Sequence, residues 1–107
     1  MTERQRLPNR RSHELLDFEH GDISYTAGVG RFEDGRLAEI FLNTAKHGTS
    51  VDTNARDAAV AASLLLQHGC PIETLRRALT RNAEGSASGP LARILDLLAL
   101  SLGPPGK

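Results

Sequence analysis

Arg76, Arg77 and Arg81 stand just before a glycine- and serine-rich run, "EGSASGP", Glu84 to Pro90. Guanidinium groups match the oxygens of phosphates and carboxylates. Small, flexible residues ahead of a helix leave backbone amides free at the positive end of the helix dipole. Arg77 and Arg81, four apart on a helix, share a face that can turn toward that loop. Ser86 and Ser88 would add hydroxyl donors. The lysine and the spacing of a P-loop are missing, so the pattern names an anion and no particular nucleotide. A second basic pair, Arg31 and Arg36, flanks the turn at Asp34-Gly35. Arg31, Arg36, Arg76, Arg77, Arg81, Ser86 and Ser88 are therefore the predicted contacts for a phosphate-bearing ligand or a protein partner.

Other chemistries fit less well. The metal-ligating types are His13, His20, His47, His68 and Cys70, and they lack the paired spacing of a structural zinc site. No metal and no cofactor are expected. Cys70 is the sole cysteine, which excludes an internal disulfide and suits a reducing, cytoplasmic setting. It reads as a small, partly buried residue beside a helix end. Glu33, Asp34 and Glu39 are the carboxylates nearest to an acid–base pair. Asp34 is explained by turn chemistry, and Glu39 is expected to face outward from a strand. No catalytic residue is expected.

The elements that must position these residues follow from periodicity. Ile23, Tyr25, Ala27 and Val29 alternate with Ser24, Thr26 and Gly28, the pattern of a half-buried strand. "HELLDF" is a strand before it, and Ala38, Ile40 and Leu42 make the inward row of a strand after it. Asp34-Gly35 supplies the positive φ of a tight hairpin, bringing Phe32 toward Leu37. Gly28 and Gly30 suggest a bulge or a close approach. From Gly48 the period changes to that of a helix, with Ala55, Ala58, Ala59, Ala62, Leu65 and Leu66 on one face. Thr49, Ser50 and Asp52 are candidate caps at its start, and Gly69-Cys70-Pro71 ends it. A second helix carries Leu75, Ala78 and Leu79 inward, and a third, capped by Ser88, carries Leu91, Ile94, Leu95, Leu98 and Leu102.

The fold class is thus α+β: an antiparallel β-meander of two to three strands followed by three helices, the first packed across the sheet. One domain is expected over residues 12–102, with a flexible basic arm at 1–11 and a disordered tail at 103–107. The leucine-rich third helix is wider than one face, which predicts a homo-oligomer formed through it. Net charge is zero, with 13 basic and 13 acidic side chains. The arm carries four Arg against one Glu, residues 12–73 four basic against ten acidic, and residues 74–107 five basic against two acidic. Basic ends on an acidic body allow an alternative reading, a nucleic-acid-associated protein using the arm. Four aromatic residues offer few stacking platforms for single strands. No stretch is long and apolar enough to span a bilayer, and the opening residues, arginines with no apolar segment after them, are not expected to act as a secretory signal.

The run from Arg10 to Leu79, continuing through "SASGPL", resembles the TSCPD domain. The most telling phrases are "GRFEDGRLAEIF" at 30–41 and "SLLLQHGCP" at 63–71. That domain lies near the C-terminus of adenosylcobalamin-dependent ribonucleotide reductases and in small stand-alone bacterial and phage proteins. The resemblance implies a link to deoxyribonucleotide metabolism and nucleotide binding, and a reductase large chain as partner. It brings no catalytic residue with it. The reductases work in a large barrel with a radical-forming cysteine and a redox pair, and a barrel needs about 200 residues or more. Only Cys70 is present, so the redox pair and the zinc-ribbon cysteines have no counterpart here. The Thr-Ser-Cys-Pro-Asp run that names the family is also missing, with "HGCP" its nearest echo. The expectation is a non-catalytic accessory or regulatory module.

Overall fold

Three alternating apolar runs fold into one antiparallel sheet: β1 (His13–His20), β2 (Ile23–Arg31) and β3 (Leu37–Thr44), in the order β1-β2-β3. The computed structural model describes residues 3–5, 13–46 and 48–102. The rest of the expected basic arm and the expected 103–107 tail lie outside the described residues, as does His47. Residues 3–5 run beside the end of the first helix. There the Gln5 amide donates to the Gln67 carbonyl at 2.7 Å, and Arg4 donates to the Gln67 side chain at 2.6 Å.

β1 is longer than "HELLDF" because the first turn is tighter than expected. His20 pairs with Ile23, leaving Gly21 (φ 58°) and Asp22 (φ 64°) as a two-residue left-handed turn. The second connection is wider than a two-residue hairpin. Arg31 pairs with Leu37, the register shifts at Gly30/Arg31, and the loop between closes through Phe32 N–H to Arg36 O at 2.9 Å. Only Gly35 (φ 93°) takes positive φ there. Asp34 instead accepts from the Arg36 backbone amide at 3.0 Å, an Asx-type turn.

Helix α1 (Ser50–Gln67) crosses the sheet, mainly along β3. Its N-cap is Thr49, whose side chain accepts from the Asp52 amide at 3.3 Å. Ala55, Ala59 and Ala62 are almost fully buried, and their small size lets the helix approach Ala27, Val29, Ile40 and Leu42 closely. α2 (Ile72–Ala78) is short, with Leu75 buried and Leu79 packed at the edge of the core. Ala78, expected inward, is exposed because the helix ends there and the chain turns away.

α3 (Pro90–Leu102) sits against α1, α2 and β1. Its leucine stripe goes mostly to the core: Leu91, Ile94, Leu95 and Leu98 are buried and Leu97 packs partly against them. Each such side chain contributes about 1.5–3 kcal/mol relative to exposure. Leu100, at 77% exposure, remains on the surface.

The outer edge of β3 is satisfied by three polar side chains of α1. Ser63 Oγ accepts from Ile40 N–H at 2.8 Å and donates to Ile40 O at 3.0 Å. Gln67 Nε2 donates to Ala38 O at 3.1 Å, and Asp52 Oδ1 accepts from Thr44 N–H at 3.1 Å. All three are buried. An edge strand otherwise presents unpaired backbone groups, and here α1 both covers it and supplies partners to Ala38, Ile40 and Thr44.

Candidate functional site

The predicted cations divide into two groups on different elements. Arg76 and Arg81 converge on Asp96 of α3. Arg81 grips it with both terminal nitrogens, at 2.5 and 2.9 Å, and Arg76 Nε reaches it at 3.0 Å. Arg76 also pairs with Glu73 at 2.7 Å, and Arg81 donates to Arg76 O at 3.2 Å. The Arg81 hydrogen bonds, followed by those of Arg76, hold the Asp96 carboxyl below the usual carboxylate range. These two arginines fasten α2 and the following loop to α3. Arg77 is exposed on the same helix.

Ser86 and Ser88 are occupied within their own loop. Asn82 Nδ2 donates to Ser86 Oγ at 2.9 Å, Ser86 Oγ donates to the Glu84 carboxylate, and Ser88 Oγ donates to Asn82 Oδ1 at 2.9 Å. Gly85 (φ 96°) turns the loop, and Arg81 bridges to Ala87 across it. Ser88 therefore does not cap α3, and Gly89 stands in the cap position, its carbonyl accepting from Arg93 N–H at 3.1 Å.

Arg31 and Arg36 remain at the β2–β3 loop. Arg31 pairs with Glu14 at 3.1 Å and donates to Gly35 O at 3.1 Å. Arg36 pairs with Asp34 at 2.7 Å and lies over the Phe32 ring, 4.7 Å from its centroid. The Arg36 backbone amide, and then its guanidinium, draw the Asp34 carboxyl down from its ordinary range. Arg36, Phe32 and Leu37 also form one wall of a cleft of about 380 Å³, whose other wall is Leu66, Cys70 and Ile72. The phrases at 30–41 and 63–71 thus meet in space at this cleft.

The second face of the sheet, away from α1, shows what sequence reasoning missed. The register sets His13, Gly30 and Glu39 in one row across the strands, and Leu15, Gly28 and Phe41 in the next. Glu39 is not solvated as expected. It is 4% exposed, lies flat over Gly30, and meets His13 Nε2 at 2.8 Å. A Cβ on Gly30 would stand 2.7 Å from Glu39 Cγ, so the missing side chain is what admits the carboxylate. In the next row Leu15 and Phe41 close over Gly28, yet stay 75% and 43% exposed. Phe41 and Val60 of α1 line a shallow hollow, and Val60 and Leu64 are exposed at 52% and 41%. Leu15 and Phe41 on this sheet face, with Val60 and Leu64 one turn apart on α1, are four of the six large exposed apolar side chains among the described residues. Polar residues border it: Asp17 accepts from Thr26 at 2.9 Å, and Arg56 donates to Asn43 at 3.0 Å.

At the opposite end of the core, a cavity of about 430 Å³ opens between the β1–β2 turn, α1 and the start of α3. Tyr25 lines it, its ring stacked on Phe18 at 5.3 Å, and burial pushes its phenol up so that it stays protonated. Among the described residues no cluster of three or more His, Cys, Asp or Glu side chains could hold a metal ion. No helix among them is long and apolar enough to cross a membrane.

Comparison with known proteins gives a consistent result. The family described as the TSCPD domain matches residues 2–103. The "Vitamin B12-dependent ribonucleotide reductase" of Agrobacterium fabrum is 37% identical over 78 residues, 73% of this chain and 6% of that protein. The protein of the same name from Bradyrhizobium diazoefficiens is 34% identical over 75% of this chain and 6% of its own length. That of Rhodopirellula baltica is 31% identical over 67% and 7%. The chain therefore spans less than a tenth of the length of these relatives. No solved structure matches.

Proposed function

The chain belongs to the TSCPD domain family, and on that premise we propose that it is a non-catalytic accessory module that docks on a vitamin B12-dependent ribonucleotide reductase through the open face of its sheet. The observation that carries this reading is the exposure of Leu15 and Phe41 side by side over Gly28, with Val60 beside Phe41 and polar side chains at the border. An apolar patch with a polar rim is the form of a protein-binding surface. The anion reading has weaker support. Arg76 and Arg81 are committed to Asp96, Ser86 and Ser88 to their loop, and Arg31 and Arg36 to neighbouring carboxylates. Of the predicted cations Arg36 and Arg77 are exposed, and Arg36 is paired with Asp34. The relatives named vitamin B12-dependent ribonucleotide reductase are much longer proteins that include a segment similar to this chain.

The test is co-elution with the purified reductase of the same cell on a sizing column. Wild type is expected to shift into the reductase peak, and Leu15→Lys/Phe41→Lys to elute alone. Equal retention of both would refute this face as the contact. Retention that needs nucleic acid and fades steeply with salt would favour the basic-arm reading instead.

A further inference from the structure

The geometry points to a small-molecule site in the cavity between the β1–β2 turn, α1 and the start of α3, fitted to a carboxylate with an apolar body. The volume, about 430 Å³, is that of a ligand pocket, and its walls include Ile23, Ala55, Ala58, Leu79 and Leu91. Tyr25 is 4% exposed, and no group among the described residues hydrogen-bonds its hydroxyl. No sealed side-chain polar atom among them lacks a partner, so that hydroxyl keeps an opening, and the opening Tyr25 shares is the cavity.

The facing wall offers a second set of donors. α3 starts at Gly89-Pro90, where proline has no N–H and glycine no side chain. Ser88 Oγ is turned to Asn82, so no side chain caps the helix, and the amides of Leu91 and Ala92 in its first turn have no acceptor among the described residues. Both residues line the cavity. Donors from two walls, one at the positive end of a helix dipole, call for an acceptor between them. No Asp, Glu, Lys or Arg lines the cavity and His20 stands at its mouth, so no carboxylate repels a single negative charge and no lysine or arginine balances the double charge of a phosphate. A carboxylate head with a ring or short chain matches the donors and the apolar walls. His20, held by Ser88 O at 3.1 Å, ties the turn to the helix start and fixes the mouth.

Benzoate titrated into the full ¹⁵N-labelled chain tests this, read from amide chemical shifts. Saturable shifts are expected at Leu91 and Ala92, with dissociation constants of about 1 mM or tighter. Tyr25→Phe should weaken benzoate about five-fold while toluene, which lacks the head, binds it as it binds wild type. Ala58→Leu, which adds bulk to the wall, should block benzoate while the rest of the spectrum is kept. Absence of saturable shifts, shifts confined to Leu15 and Phe41, or equal benzoate affinity in Tyr25→Phe would each overturn the site.

Discussion

Ser63→Ala should destabilise the fold although it removes one oxygen and improves helix propensity. Ser63 is 8% exposed, and its hydroxyl serves the Ile40 amide at 2.8 Å and the Ile40 carbonyl at 3.0 Å. Without it, both groups are buried on the outer edge of β3 with no replacement partner. Leaving buried polar groups unsatisfied costs about 1–3 kcal/mol. The helix preference for alanine over serine returns roughly 0.5 kcal/mol. The net loss is about 1–2 kcal/mol, and each kcal/mol lowers the melting temperature of a domain this size by about 4–8 °C. Thermal and urea unfolding followed by far-ultraviolet circular dichroism would measure it, with the urea slope unchanged. Thr53→Ala, on the exposed side of the same helix, is the control and should stay within about 0.5 kcal/mol of wild type. If Ser63→Ala matched that control, α1 would not be completing the hydrogen bonds of β3.

Gly30→Ala should cost about 1–3 kcal/mol, since its Cβ would displace Glu39 and strain the His13 contact, whereas Gly28→Ala meets ordinary contacts at 3.5 Å and should be tolerated. Equal melting temperatures for the two variants would contradict the arrangement of that face. Asp96→Asn should loosen the attachment of α2 to α3 and change the acid limb of stability. The Asp96 carboxyl is depressed in the folded state, so its contribution is present above the unfolded value of about 3.9 and is lost as pH falls through the lower folded value. Wild type should therefore lose more stability than Asp96→Asn on acidification below about pH 4, and parallel pH profiles would show that the arginines are not acting through this carboxylate.

The meander and α1 were legible because alternation at 23–29 and the alanine face at 55–66 each follow a single period. The limits are just as specific. Alternation assigns Glu39 to the face away from α1, but whether that face is covered depends on His13, which is 26 positions away. Arg76 and Arg81 looked free because their partner, Asp96, lies on the next helix and charge order along the chain cannot identify it. The leucines of α3 looked surplus because their count says nothing of how many sides the core offers; α1, α2 and β1 surround that helix. Ser63 and Gln67 did leave a signal, polar residues four apart beside the apolar face of α1, which only an accounting of the β3 edge turns into a role. The Tyr25 cavity had none, since it arises where three separate segments fail to close.

The role of the open sheet face is tested most directly by calorimetric titration of the chain into the vitamin B12-dependent reductase at several temperatures. Saturable binding with a negative heat-capacity change, the mark of apolar burial, and its loss in Leu15→Lys/Phe41→Lys with the melting temperature kept, is the predicted result. Binding that survives the double substitution, or no binding by the wild-type chain, would contradict the account.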